Sequence, residues 1–261
     1  MQSSNANISL AVDLEHPVYF DHPLDHVPGM LMLGAVLDRV PAGNAGQDQC
    51  TANFAFYRFA ELDAELLLRL RRESGPDHWA AEITQEESTV CSARVSHGAS
   101  PSIPAGGTAG RVRGEAAPMS LMRRTREGNV ALEMPRFTGA QVVCPLLDPA
   151  ADHHFALECP GTRGVVELVE AARQFGVLLW QLEYGRPADV RLLLDAVDLD
   201  LPTSLSRETP MELRWDRAPR RGIAASFSME VWAGDTRVGS VGLESRAVSE
   251  SAYRRLRGAR V

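Results

Sequence analysis

Residues 16–33 read HPVYFDHPLDHVPGMLML, a series of turn-forming His-Pro pairs that ends in an apolar segment. Pro28 and Gly29 stand immediately before the apolar residues, and this pattern predicts a short buried helix over residues 30–37. The first turn of a helix leaves backbone N–H groups without intrahelical partners. The amide groups of Gly29 and Met30 are therefore candidate donors to an oxyanion.

Two histidines in this stretch, His22 and His26, are candidate catalytic residues, because a neutral imidazole suits general base or acid chemistry. They are four residues apart, but the prolines between and after them argue against a continuous helix, so they need not share a face. An aspartate, Asp21 or Asp25, precedes each histidine and could orient its imidazole. The prolines give no fixed ligand geometry, so no metal site is predicted.

A second helix is predicted over residues 165–182, where apolar residues fill almost every face. Such a helix is buried rather than lying on a surface. Glu170, Arg173 and Gln174 nevertheless share a stripe on it, at spacings of three and four residues. A buried Glu170 would have a raised pKa unless it were paired, for instance with Arg173; a purely structural pair is the alternative.

Alternating strands surround both predicted helices, which indicates an α+β protein. The extended segments are 8–20, 51–59, 79–95, 130–137, 141–147, 154–158, 190–201, 211–215, 223–232 and 236–248. The unit of a buried helix surrounded by antiparallel strands occurs twice in the chain. This repetition predicts a double hotdog, in which two sheets wrap two central helices as a pseudo-dimer.

The domain boundary is predicted at residues 98–118, GASPSIPAGGTAGRVRGEAAP, because this stretch is rich in Gly, Ala and Pro and has little apolar bulk. It divides the chain into a first repeat over residues 1–97 and a second over residues 119–261.

The first stretch resembles the A-factor biosynthesis (AfsA) hotdog family, whose signature is FDHPxDHVPGM followed by LLLEAxRQ. Three other segments are similar to parts of that family: Leu121-Met122-Arg123, the EAARQ sequence of residues 170–174 with YGRP at 184–187, and YRRLR at 253–257. Two departures matter. The repeat with DHVPGM comes first here rather than second, and Gly34, Leu37 and Asp38 replace Glu, Arg and Gln in its helix.

Each half thus retains only part of the signature. Hotdog dehydratases of fatty-acid synthesis place a histidine opposite an acidic residue of the partner's helix, so the resemblance implies one composite site in which His22 or His26 faces Glu170. Asp21, Asp25, Gly29, Met30, Arg173 and Gln174 are the expected substrate-binding residues.

Composition excludes several other classes of protein. The chain has 261 residues and a formal charge of −7, and all 27 basic residues are arginine, so Schiff-base, P-loop and other lysine chemistry is excluded. Nucleic-acid binding is not expected from this balance. The four cysteines are scattered without a metal or disulfide spacing. Neither a secretion signal nor a membrane span is recognised, and the expected location is the cytoplasm.

The resemblance implies an acyltransferase that joins a β-ketoacyl thioester to dihydroxyacetone phosphate, toward a γ-butyrolactone or butenolide, without a cofactor. A dehydratase, isomerase, cyclase or thioesterase acting on a carrier-bound polyketide intermediate is the first alternative, and a non-catalytic acyl-ligand binder is the second. The expected partner is an acyl carrier protein or CoA thioester. Arginines 123, 124 and 126, 220 and 221, and 254, 255 and 257 are candidate contacts for a carrier; a homodimer remains open.

Overall fold

Thirteen strands, five α-helices and one 3-10 helix (Glu127–Asn129) are present in the part of the chain that the computed structural model describes, residues 7–41, 48–75, 77–99, 114–186, 190–219 and 222–258. The helices are α1 (Gly29–Leu37), α2 (Met119–Met122), α3 (His154–Glu158), α4 (Val165–Leu182) and α5 (Glu250–Gly258). The strands are β1 (Asn7–Leu10), β2 (Gln49–Phe56), β3 (Leu66–Arg72), β4 (His78–Gln85), β5 (Ser88–Gly98), β6 (Arg136–Thr138), β7 (Gln141–Pro145), β8 (Thr162–Gly164), β9 (Arg191–Pro202), β10 (Ser204–Ser206), β11 (Met211–Asp216), β12 (Ala224–Ala233) and β13 (Thr236–Val248).

Eleven of these strands form one antiparallel sheet in the order β1-β3-β4-β5-β2-β9-β13-β12-β11-β7-β6. The N-terminal strands join the C-terminal ones where β2 pairs with β9, with Phe54 opposite Val197 and Ala52 opposite Leu199. These four side chains are buried, whereas Asn53 between them is exposed. The alternation is typical of an antiparallel sheet with one face on the core.

The buried face of the sheet packs on α1 and α4, which also contact each other. Helix α4 begins and ends at the residues predicted from its periodicity, and most of its side chains are buried. Gly176 allows its close approach to the sheet, because a Cβ atom there would lie 3.2 Å from Leu243 Cδ1. The core therefore joins residues from both halves of the chain around two central helices.

Several predicted strands differ from the structure. The segment 79–95 is two strands, because Glu86 and Glu87 take positive φ angles of 49° and 62° and turn the chain between β4 and β5. Strand β3 was not predicted, and the segment 8–20 is extended only at β1. The segment 154–158 is the helix α3 rather than a strand, because His153 caps it by accepting a hydrogen bond from the Phe155 amide at 3.3 Å.

Most of the predicted linker, residues 100–113, lies outside the described residues. Its two ends belong to the folded structure, since Gly98 is the last residue of β5 and Ala117 is buried and donates its N–H to Leu132 O at 2.9 Å. The division into two repeats at this point stays a prediction.

Candidate active site

One cavity of about 830 Å³ is lined both by the loop before α1 and by α4. His22, His26 and Glu170, the three residues predicted to be catalytic, all line it. Arg173 lines the same cavity. Residues far apart in the sequence, from the first and the second half, therefore meet around one space.

Glu170 is buried, with 2% of its surface exposed, and its carboxylate is held by cations. Arg173 donates from Nε and Nη2 to its two oxygens at 2.8 Å, Gln174 donates at 2.9 Å, and Arg124 donates from Nη2. Burial alone would raise the pKa of Glu170, but the guanidinium groups of Arg124 and Arg173 overcome this effect and hold it at about 2. The pairing with Arg173 considered from the sequence is present, and it keeps this carboxylate ionised.

Gln174 does not line the cavity, in contrast to the predicted substrate contact. Its amide donates to Asn129 O at 2.8 Å and accepts from the Ala131 N–H at 3.0 Å. Because the Gln174 side chain is almost fully buried and makes both of these hydrogen bonds, it fixes the backbone of residues 129–131 rather than facing a ligand.

Asp21 likewise does not line the cavity, and its side-chain hydrogen bonds go to Thr125, Arg126 and Asn129 rather than to the imidazoles that it was predicted to orient. Its carboxylate accepts from the Thr125 N–H at 2.6 Å, the Arg126 N–H at 3.2 Å and the Asn129 side chain at 2.6 Å. It thereby fastens the loop before α1 to the segment that carries Arg124.

His22 lies beside the arginine cluster of the cavity. Burial lowers its pKa, and Arg124, Arg173 and Arg123 lower it further against the opposing effect of Asp21. Among the described residues its Nδ1 atom is buried and has no hydrogen-bond partner. His22 is therefore neutral near pH 7.

His26 is oriented by Asp25, as predicted for this aspartate. The His26 Nδ1 atom lies 2.8 Å from Asp25 Oδ1, which also accepts from the Tyr253 hydroxyl at 2.6 Å. Burial lowers the pKa of His26 despite the neighbouring carboxylate. Tyr253, on α5, was not predicted as a site residue; its place in the YRRLR sequence at 253–257 was the only signal.

The first residues of α1, Gly29 and Met30, also line the cavity. No side chain caps this helix at Pro28. A Cβ atom at residue 29 would lie 3.2 Å from Phe56 Cε1, so glycine leaves room for that ring at the cavity wall. The geometry is compatible with the predicted oxyanion donors.

Cationic side chains outnumber carboxylates in the lining. Six arginines line the cavity, namely Arg58, Arg123, Arg124, Arg173, Arg191 and Arg246, against the carboxylates Asp25, Glu170 and Asp195. An anionic ligand is favoured by this excess of positive charge. Of the predicted carrier contacts, Arg254 and Arg255 are exposed on α5, whereas Arg220 and Arg221 lie outside the described residues.

Within the described ranges, no group of three or more His, Cys, Asp or Glu side chains could hold a metal ion. In that same part of the chain, no helix is both long and apolar enough to cross a membrane.

Comparison with known families matches residues 2–37 to AfsA, the A-factor biosynthesis hotdog domain, and this confirms the resemblance for the N-terminal segment. A relative from Streptomyces virginiae, named 2-oxo-3-(phosphooxy)propyl 3-oxoalkanoate synthase, is 32% identical over 92 residues, which cover 33% of this chain and 31% of the relative. The chain spans a third or less of the length of the curated relatives that it matches.

Solved structures match nearly the whole chain. A trans-AT PKS dehydratase domain from Brevibacillus brevis has a TM-score of 0.65 at 13% identity and covers 95% of this chain and 97% of that chain. The dehydratase domain of PpsC from Mycobacterium tuberculosis has a TM-score of 0.61 at 15% identity and covers 93% of this chain and 92% of that one. At these identities the likeness shows the fold alone, and it confirms the predicted α+β hotdog fold, in which the two predicted sheets are joined into one through β2 and β9.

Proposed function

We propose that this chain is an acyltransferase that moves a β-ketoacyl group from a CoA or carrier-protein thioester to the hydroxyl of dihydroxyacetone phosphate. The product would be a phosphorylated ester on the way to a γ-butyrolactone or butenolide. The observation that carries the proposal is the state of Glu170, which is ionised and enclosed by Arg124 and Arg173 in a cavity that also holds two neutral imidazoles.

The ionised state of Glu170 argues against a dehydratase that uses a histidine as its base and Glu170 as its acid. Removal of water from a β-hydroxyacyl group needs an acid that protonates the departing hydroxyl. A carboxyl group with a pKa of about 2 is not protonated near neutral pH, and both of its oxygens already accept hydrogen bonds. Acyl transfer needs no carboxylic acid, since one base can serve both of its proton transfers.

The arginines supply what a phosphorylated acceptor requires. Arg173 remains 27% exposed at its side chain while it pairs with Glu170, and Arg123 lines the cavity beside it. A guanidinium group binds phosphate through short, charge-assisted hydrogen bonds. His22 adds a neutral ring nitrogen to this end of the cavity, which suits a further hydrogen bond to the acceptor.

The remaining lining suits the acyl thioester. Apolar side chains at Met32, Phe56, Val177, Leu192 and Leu194 offer a surface for an alkyl chain. The N–H groups of Gly29 and Met30 would stabilise the negative oxygen that develops when the acceptor attacks the thioester carbonyl. A neutral histidine takes the hydroxyl proton, and the thiolate that leaves recovers it.

The direct test is incubation of the purified chain with a 3-oxoacyl-CoA and dihydroxyacetone phosphate, followed by mass spectrometry. We expect free CoA and a new ester that contains the phosphate, with little ester when dihydroxyacetone replaces its phosphate. Free CoA with only the free 3-oxo acid would identify a thioesterase and overturn the transfer.

The dehydratase alternative is tested with a 3-hydroxyacyl thioester, on which loss of about 18 Da from the bound acyl group would favour dehydration. A non-catalytic acyl binder would retain the thioester without turnover, and the His22→Ala and His26→Ala variants would then behave as the unaltered chain does. We expect instead that each variant loses ester formation while it remains folded.

A further inference from the structure

A hydrogen-bonded group of three side chains joins the C-terminal helix to the cavity: His26, Asp25 and Tyr253. Asp25 Oδ1 lies 2.8 Å from His26 Nδ1 and 2.6 Å from the Tyr253 hydroxyl, and this hydroxyl lies 3.2 Å from His26 Nδ1. One carboxylate oxygen therefore accepts from two donors. We propose that His26 is the general base of the acyl transfer and that Tyr253 positions it through Asp25.

The bond to Asp25 determines which nitrogen of His26 is basic. With its proton on Nδ1 and donated to Asp25, neutral His26 has its lone pair on Nε2. A base oriented by a third group in this way is the arrangement that activates nucleophiles in many hydrolases and transferases. The imidazole ring also packs edge-on against Phe59, with ring centroids 4.9 Å apart, which restricts its rotation.

His22 is less suited to the same task. Three arginines, Arg123, Arg124 and Arg173, lower its pKa, and the carboxylate that raises it, Asp21, already accepts from two backbone amides. A proton acquired by His22 would meet these three cations, although Arg124 and Arg173 also pair with Glu170. The charged groups that act on His26 are the carboxylates of Asp25, on the same loop, and Glu61, and the guanidinium group of Arg257 on α5. The carboxylates therefore outnumber the cation around His26.

Helix α5 is held where Tyr253 can reach Asp25. Arg257 donates to both oxygens of Glu61 at 2.8 and 2.7 Å and to Asp25 O at 2.7 Å. Arg191 pairs with Glu250 at 2.7 Å and lies 5.1 Å from the centroid of the Tyr253 ring. Tyr253 itself is 4% exposed, so its hydroxyl is fixed within the protein. The C-terminal helix thus belongs to the candidate active site.

The inference rests on the proposed function, and its chemical step is the following. The acceptor hydroxyl gives its proton to His26 Nε2 while its oxygen forms a bond to the thioester carbonyl carbon. The tetrahedral intermediate collapses with cleavage of the C–S bond. The departing thiolate then takes the proton from His26, which returns to its neutral form.

The test uses the full chain with the variants Tyr253→Phe and Asp25→Asn, and with Glu250→Gln as a matched control. Glu250 anchors the same helix through Arg191 and Arg254 but does not touch His26 or Asp25. We expect kcat to fall about tenfold in Tyr253→Phe and about a thousandfold in Asp25→Asn, with a nearly unchanged KM for the thioester. Glu250→Gln is expected to keep the original kcat, because Arg257 still holds α5 through Glu61 and the Asp25 carbonyl oxygen.

The second readout is the NMR titration of the His26 ring, assigned by comparison with His26→Gln. Loss of the Tyr253 hydroxyl leaves the Asp25 charge less neutralised, so the pKa of His26 is expected to rise. Loss of the Asp25 charge is expected to lower it. This readout needs no substrate, and it tests the three-residue group even if the acceptor proposed above is wrong.

Equal titration curves for the unaltered chain and Tyr253→Phe, together with equal kcat values, would overturn the role of Tyr253. The same shift in Glu250→Gln as in Tyr253→Phe would also overturn it, because the effect would then come from the position of α5. Retention of kcat in His26→Gln with its loss in His22→Gln would assign the base to His22 instead.

Discussion

Helices α1 and α4 are both buried and contact each other, yet they differ in what they carry into the interior. Helix α4 carries Glu170, whose ion pairs reach the cavity through Arg173. Helix α1 contains only apolar residues and glycine, with Gly34 and Leu37 where the family signature has Glu and Arg. Helix α4 therefore contributes charged side chains to the cavity, whereas α1 contributes its first residues, Gly29 and Met30.

The space beside Gly34 is filled from outside α1. A Cβ atom at residue 34 would lie 3.0 Å from the Tyr19 hydroxyl, and the Tyr19 ring stacks on His16 with centroids 4.1 Å apart. His16 Nε2 in turn lies 3.0 Å from His154 Nε2. Aromatic and imidazole rings thus pack beside Gly34 on α1, whereas an ion pair occupies the position of Glu170 on α4.

The largest effect is expected from Glu170→Ala, which removes the carboxylate between Arg124 and Arg173. Loss of one partner leaves buried charge uncompensated, and we expect a decrease of about 3–5 kcal/mol in the free energy of unfolding, measured by urea denaturation. Arg237→Gln is the control, since Arg237 and Glu230 form an exposed pair that contributes about 0–1 kcal/mol. Equal losses in the two variants would show that the α4 ion pairs do not hold the interior.

The same ion pairs illustrate how far the sequence predicts the site. Periodicity identified α4 and the polar stripe with Glu170, because burial leaves a repeat in the sequence. The same periodicity predicted Arg173, three residues away, as the partner of Glu170. It did not predict Arg124, which lies on a distant segment that Asp21 holds in place.

Contacts that depend on tertiary folding escaped prediction for the same reason. The place of Tyr253 beside Asp25 requires α5 to return across the first half of the chain, and no local pattern encodes that return. Helix α3 was taken for a strand because five residues are too few for a clear period, and strand β3 was missed because its sequence, LLLRLRR, does not alternate strictly between apolar and polar residues. The long elements, in contrast, were predicted nearly to their ends.

A second prediction separates the role of α4 in binding from its role in folding. In Arg173→Gln the carboxylate of Glu170 keeps Arg124 and Gln174, so the protein is expected to stay folded. We expect the KM for dihydroxyacetone phosphate to rise about 10- to 100-fold, because one charge-assisted phosphate contact is lost. Steady-state kinetics with Arg254→Gln as the control measures this. An unchanged KM would place the phosphate away from Arg173.

A third prediction concerns the space that Tyr19 occupies beside α1. Gly34→Ala crowds the Tyr19 hydroxyl, and we expect it to destabilise the protein by about 1 kcal/mol or more. In a Tyr19→Phe background the oxygen is gone, and the helix preference of alanine is expected to stabilise by up to about 1 kcal/mol. A double-mutant cycle from thermal or urea unfolding measures the coupling. Additive effects would mean that Tyr19 does not limit this position.

The smallest expected effect is a pH dependence from His16. Burial first, and then His154, lower the pKa of His16 from 6.5 to about 4, and its Nδ1 atom accepts from the amides of Val18 and Tyr19 at 3.3 and 3.2 Å. Between these two values the unfolded chain binds a proton that the folded chain does not. The free energy of unfolding therefore decreases as the pH falls from about 6.5 to about 4 and does not change further below that through this group.

Because His16 is only partly buried and solvent screens its charge, we expect its share of this decrease to be on the order of 1 kcal/mol. Urea denaturation across that range, compared between the unaltered chain and His16→Asn, isolates it from the other histidines. An asparagine oxygen can accept the same two amides without titrating, so the variant is expected to show the shallower slope. If the free energy of unfolding has the same slope against pH in both proteins, the rings beside α1 do not restrict the protonation of His16. The two helices would then not differ in how their surroundings affect protonation.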